Sequence, residues 1–259
     1  MDIASPLWGV CPFDKFSGRL IECRAKTRLP KNAKSVIVAC FPYFLGKDAY
    51  KSSNISKYAV VTDYHGVAIT RLEEACRKLR EIYPDEEFSP FADNSPVPEV
   101  SAAVEAGLGV RGMNSLLITQ KYGSFVFIGE IVTTLRIDPS VSEQKSCLQC
   151  GMCVRKCPAN ALDGISVDET KCLSAITQKK GNLTESEIAL MKECGCVWGC
   201  DVCQDVCPMN KNIPVTELEE FLCNPVAVLT NETSLEGRAY AWRGKKVTER
   251  NLAVINYED

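Results

Sequence analysis

Ten of the chain's fifteen cysteines lie between Cys147 and Cys207. The run Cys147-x2-Cys150-x2-Cys153-x3-Cys157-Pro158 can offer three thiolates to three irons of one cubane, with the fourth cysteine binding a neighbouring cluster. The proline turns the chain out of the loop. Zinc sites also use Cys-x2-Cys pairs, but zinc does not need three thiolates at three-residue steps followed by Cys-Pro. The spacing therefore predicts two four-iron, four-sulfur clusters, and with them electron transfer or reduction.

A second copy of the motif is incomplete. When Cys207-Pro208 is aligned on Cys157-Pro158, Cys203 falls on Cys153 and Cys200 on Cys150, but Val197 takes the place of Cys147. If the copies exchange ligands, Cys147, Cys150, Cys153 and Cys207 bind one cluster. Cys157, Cys200 and Cys203 bind the other, one thiolate short. Cys172, Cys194 and Cys196 are the candidates. Cys196 abuts the gap, but a one-residue step redirects a side chain. Cys172, in Lys171-Cys172-Leu173-Ser174, stands where the chain should return past the clusters, and is preferred. Cys11, Cys23, Cys40, Cys76 and Cys223 read as small hydrophobes.

At 259 residues, 46% hydrophobic and 24% charged, the chain can bury a core. No run of eighteen apolar residues suggests a membrane span. The start, Met1-Asp2-Ile3-Ala4-Ser5-Pro6, lacks a secretory pattern. A cytoplasmic setting is expected, and there so many thiols point to metal rather than disulfides. Thirty basic against thirty-three acidic residues advertise no nucleic-acid surface.

Three domains are expected: an α/β domain over 1–140, the cluster module over 141–215 and a short helical extension over 216–259. Ser35–Phe41 and Tyr58–Thr62 read as buried strands. Apolar spacing from Val67 predicts a helix stopped by Pro84. A second helix opens near Pro98 and ends at Gly107. Leu116–Thr119 and Phe125–Leu135 read as strands joined by a turn at Tyr122-Gly123-Ser124. Thr184-Glu185-Ser186-Glu187 has capping-box spacing, and Arg250–Asn256 is helical in character.

Several stretches, in order, resemble the epoxyqueuosine reductase family, iron–sulfur and cobalamin enzymes distantly related to reductive dehalogenases. They are Asp63-Tyr64-His65; Phe91-Ala92-Asp93-Asn94-Ser95-Pro96-Val97-Pro98-Glu99; Ala106-Gly107-Leu108-Gly109; Gly112-x-Asn114-Ser115-Leu116-Leu117-Ile118; Gly123-Ser124-Phe125-Val126-Phe127-Ile128-Gly129-Glu130; and Gly199-Cys200-Asp201-x-Cys203-Gln204-x-x-Cys207-Pro208. The resemblance implies an α+β chain, with a nitroreductase-like corrin-binding α/β domain followed by a bacterial two-cluster ferredoxin-like module. It implies base-off cobalamin beside the two clusters, and reductive deoxygenation of an epoxide to an alkene in queuosine biosynthesis. Asp93 would be the acid that protonates the departing oxygen, with Glu99 as its alternative and a turn-capping role for Asp93 as the plainer reading. Tyr64, His65, Gly107, Gly109, Gly112, Asn114, Ser115, Gly123 and Ser124 would line the cofactor. His65 reads equally as a hydrogen-bonded residue at a strand end.

Two departures stand out. The family's Gly-Trp-x-Gly-Lys is Gly109-Val110-Arg111-Gly112-Met113 here. Family members also continue into a helical-repeat domain that holds transfer RNA, so a short form is expected, with a small nucleoside-type substrate or weakly held tRNA. A low-potential donor such as ferredoxin or flavodoxin is the expected partner. An electron-transfer protein that reduces a corrinoid or flavin partner is the alternative function.

Overall fold

The computed structural model describes residues 5–141 and 146–256. Met1–Ala4 of the secretion reading, and stretches 142–145 and 257–259 of the expected domains, lie outside the described residues. Contacts divide the chain into two units. One comprises Met1–Pro42, Tyr64–Arg111 and Leu116–Cys147; the other comprises Tyr43–Asp63, Gly112–Ser115 and Leu148–Asp259.

The first unit carries strands β1 Leu7–Pro12, β2 Ser35–Pro42, β3 Phe88–Ala92, β4 Val110–Arg111, β5 Leu117–Ile118 and β6 Val126–Thr133. Four of them form an antiparallel sheet in the order β1-β2-β6-β3. All eight residues of β2 are buried, as its unbroken apolar run foretells. Successive side chains alternate faces. Val36, Val38 and Cys40 join Phe91, Ala102, Ala103 and Val132 in one cluster, under the Glu99–Glu105 helix. The Tyr64–Ile82 helix packs on β3 and β6 and buries Val67, Leu72, Ala75, Cys76 and Leu79.

Sequence reading missed β1 and β3. Pro90 is tolerated in β3 because β3 is an edge strand, where a missing N–H costs little. The hairpin expectation needs correction: β5 pairs with β4 rather than β6, and Thr119 closes a bridge to Gly123. Tyr58–Thr62 is no strand either. Lys57–Val60 is one helical turn, and its apolar residues enter a core with Ile55, Val197, Trp198, Tyr240 and Leu252. Tertiary packing overrides the branched-residue preference there.

The second unit is built of short helices. Met152–Lys156 and Val202–Asp205 pack on each other. The Glu185–Cys194 helix has the foreseen box: Thr184 Oγ1 accepts from Glu187 N–H, and Glu187 accepts from Thr184 N–H. The final helix, Lys245–Asn256, buries Asn251, whose amide donates to the Thr177 and Val197 carbonyls at 2.7 and 2.8 Å.

Candidate active site and cluster module

The chemistry of the first unit gathers where the Asp93–Ser95 turn meets the sheet. At the start of the Tyr64–Ile82 helix, Tyr64 stacks on Phe127 of β6, with centroids 4.1 Å apart and planes 5° apart. His65 stacks on Tyr64 at 4.0 Å. His65 therefore opens a helix rather than ending a strand. Its Nε2 lies 3.1 Å from Asp93 Oδ2, and with hydrogen on that nitrogen the imidazole donates to the carboxylate.

Asp93 has φ +62°, a conformation that aspartate tolerates better than most residues. The turn is tied down behind it. Ser95 N–H donates to the Asp93 carbonyl, Val97 N–H donates to Ser95 Oγ at 3.1 Å, and the Ser95 hydroxyl donates to Glu130 Oε2. Asp93 N–H also bonds the Glu99 carboxylate. Burial pushes the Glu130 carboxyl up to about 8, with the Ser95 hydroxyl opposing. Burial, then the neighbouring Glu130 and Asp93, push Glu99 well above the usual carboxylate range. Asp93 itself is 60% exposed along its side chain, Glu99 is partly buried with its Oε1 shut from solvent, and Glu130 is wholly buried.

Glu130 was quoted in the sequence only as part of a motif. The signal was present: it is the one charged residue of an otherwise apolar strand, fully buried, and buried carboxyls need a partner or a proton.

The glycines singled out in the sequence have backbone reasons. Gly107, at φ +76°, closes the Glu99–Glu105 helix by donating to the Val104 carbonyl at 3.0 Å. At Gly109 a Cβ would sit 2.4 Å from the Ile118 carbonyl oxygen. Gly123 and the buried Ser124 form the turn at the Thr119 bridge. Gly112, Asn114 and Ser115 belong to the other unit: Gly112 accepts from Ser115 N–H at 2.9 Å, and Ser115 Oγ reaches the Ile165 carbonyl at 3.5 Å.

In that unit the thiols carry the chemistry. Cys153 and Cys203 ride the two packed short helices, and Cys157 and Cys207 follow those helices. Cys172 precedes the Leu173–Gln178 helix, near enough to Cys200 and Cys203 to raise both. Cys194 influences Cys200 likewise and is itself raised, first by burial and then by Glu193 and Cys157. Burial pushes Cys200 and Cys203 up to about 12, so only a metal would draw off their protons. Donors are already aimed at two of the sulfurs: Ala161 N–H at Cys157 Sγ, 3.3 Å away, and Val202 N–H at Cys200. This donor set fits thiolate ligands of a cluster. Among the described residues no three Cys, His, Asp or Glu converge as ligands of a single metal ion do. Val197, at the gap in the second motif, is fully buried in the Trp198 core.

Fold and thiol pattern together define an iron–sulfur protein with a mixed α/β unit, and comparison with known proteins makes the likeness specific. Residues 146–210 match the 4Fe-4S double cluster binding domain, and residues 24–94 match the epoxyqueuosine reductase QueG family. The epoxyqueuosine reductase of Lactococcus garvieae is 34% identical over 219 residues, 80% of this chain and 62% of that protein. That of Cyclobacterium marinum is 36% identical over 200 residues, 75% and 64%. The epoxyqueuosine reductase structure from Streptococcus thermophilus superposes with TM-score 0.79 at 25% identity, over 98% of this chain and 77% of that one. A reductive dehalogenase shares the fold at TM-score 0.52 and 17% identity, over 97% and 34%. The chain is similar to epoxyqueuosine reductases along most of its length, and spans rather less than two thirds of those two curated relatives.

Proposed function

We propose that this chain is a cobalamin-dependent iron–sulfur reductase that converts an epoxide to an alkene, with epoxyqueuosine as the substrate. The observation that carries the reading is the His65–Asp93 pair, set on a tied-down turn within a chain that also holds a two-cluster cysteine module. In the first cluster Cys147, Cys150, Cys153 and Cys207 are the ligands, and in the second Cys157, Cys172, Cys200 and Cys203.

The reaction consumes two electrons and two protons, whereas a cluster passes one electron at a time. Cobalamin bound to this chain would supply the low-valent metal that reconciles one-electron delivery with a two-electron reduction. The sole histidine of the chain is engaged by Asp93, which suits a corrin held without a protein base. Asp93 delivers a proton to the departing oxygen, and His65 orients Asp93. The Phe127, Tyr64 and His65 rings stack in sequence and hold His65 toward Asp93. Gly107, Gly109, Gly123 and Ser124 contribute backbone near the cofactor. A low-potential ferredoxin or flavodoxin supplies electrons in the cytoplasm. One solved relative is described in complex with an epoxyqueuosine-modified tRNA stem loop, and the substrate here is that nucleoside, free or in RNA. Among the described residues no helix is long and apolar enough to cross a membrane.

Val110 and Met113, in place of the family's tryptophan and lysine, favour a second reading, in which the chain only passes electrons to a partner's corrinoid or flavin. Anaerobic reconstitution decides between the two. Added cob(II)alamin that binds base-off and supports reduction of the epoxide establishes the enzyme. Failure to bind a corrin at micromolar protein leaves the electron-transfer reading.

A further inference from the structure

Lys57 reaches the second cysteine motif from far back in the chain, within the same unit as that motif. Asp201 precedes, and Asp205 ends, the Val202–Asp205 helix that carries Cys203. The Asp201 carboxylate accepts from the Ser56 hydroxyl at 2.5 Å, the Lys57 N–H at 2.7 Å and the Lys57 ammonium at 3.4 Å. The same ammonium donates to both oxygens of Asp205, at 2.7 and 2.8 Å, and lies 5.3 Å from the centroid of the Tyr50 ring. The Lys57 and Asp201 side chains are only 13% and 9% exposed, so water and salt screen their charges weakly. Burial opposes the Asp201 charge, and Lys57 leads the groups that sustain it. That charge is felt at the ligand sulfurs: burial is the main cause that raises the Cys200 and Cys203 thiols, and Asp201 adds to it at both.

We propose that Lys57 raises the reduction potential of the second cluster, by fixing a cation between the two carboxylates that flank its ligands. The inference rests on Cys157, Cys172, Cys200 and Cys203 as the ligand set. It needs neither corrin nor substrate, and so stands under either functional reading. In the step concerned, the ferredoxin or flavodoxin donor is oxidised by one electron and the cluster is reduced by one. No covalent bond forms or breaks. The arriving charge adds to that of four thiolates, and potential follows net charge and exposure. Asp201 and Asp205 oppose the electron, whereas the compact ammonium of Lys57 favours it.

The test is a redox titration of the anaerobically reconstituted full chain, followed by electron paramagnetic resonance, with iron checked at about eight per chain. At about pH 8.5, with Ser56 and the residue 57 N–H still donating to it, Asp201 stays ionised in each variant. Lys57→Met should move one of the two reduction steps to more negative potential. Lys57→Arg, which keeps the charge, should titrate close to wild type. Asp205→Asn removes a carboxylate from a half-exposed position and should move the same step the other way, which keeps the test available if Lys57→Met does not fold. Steps unmoved in both, or moved in the same direction by both, overturn the proposal. So does a Lys57→Arg shift as large as that of Lys57→Met, because packing and not charge then sets the potential. A Lys57→Met shift that persists in the Cys172→Ser background, where the first cluster alone remains, overturns it too. The ligand set fails separately, if Cys172→Ser keeps all its iron.

Discussion

Cys196 donates its thiol to the Gly199 carbonyl oxygen at 3.0 Å. A thiol that gives its hydrogen to backbone stays protonated, and burial pushes this one up to about 12. Cys172 instead neighbours Cys200 and Cys203. Cys172→Ser should therefore lower reconstituted iron from about eight to about four per chain, and Cys196→Ser should leave it intact. Iron analysis with electron paramagnetic resonance reads the outcome. Full iron in Cys172→Ser with loss in Cys196→Ser reverses the assignment, and loss confined to Cys194→Ser moves the ligand there.

Glu130 also makes folding pH-dependent, and the sign follows from its raised carboxyl. Between the usual 4.5 and about 8, the folded chain holds a proton that the unfolded chain has released. Stability therefore falls as pH rises through that window, by at most about 1.4 kcal/mol per pH unit for one group. Glu130→Gln should flatten the slope in anaerobic urea unfolding between pH 5.5 and 8. An identical slope in both proteins would exclude Glu130 as its source.

Asn251 clasps two buried carbonyls, those of Thr177 and Val197. Asn251→Leu leaves both without a donor, and should cost about 1–3 kcal/mol. Glu249→Ala, on an exposed position of the same helix, should change the melting temperature little. Equal effects of the two substitutions would mean that the helix, and not the clasp, sets stability.

Charge bears on the substrate. Holding tRNA means neutralising several phosphates, with a steep salt dependence, yet the chain carries a net charge of −3. The free nucleoside or an anticodon-sized fragment should be reduced faster than intact tRNA at matched concentration and physiological salt. Tight, salt-sensitive binding of intact tRNA, with faster turnover, would point to a local basic surface.

What was legible in the sequence was what local pattern alone decides. The unbroken apolar run of β2, the 3.6-residue stripe of Tyr64–Ile82, the Thr184 box and the cysteine spacing each state their own structure. What was missed depends on distant partners. Nothing local distinguishes Lys57–Val60 as a helical turn, because its conformation follows from packing against Trp198 and Tyr240. Pro90 is acceptable only because β3 is an edge, and topology is not written in a five-residue window. Asp93 and its alternative Glu99 came forward as candidates through motif order. Their dependence on Glu130, 31 residues beyond Glu99, emerges only when β6 and the helix are brought face to face.

The segment around Ile55 and Val60 has its partners late in the chain. Ile55 bridges Trp198 and Thr62 bridges Arg238, while Ser56 donates to Asp201 across 145 residues. At ordinary synthesis speeds of about 5–20 residues per second, that separation leaves Ile55, Ala59 and Val60 uncovered for roughly 7 to 30 s on the nascent chain. During translation this short apolar stretch is thus a natural stop for a ribosome-associated chaperone. Ribosome profiling of chaperone-bound nascent chains should show engagement beginning after this stretch emerges and ending once Trp198 has emerged.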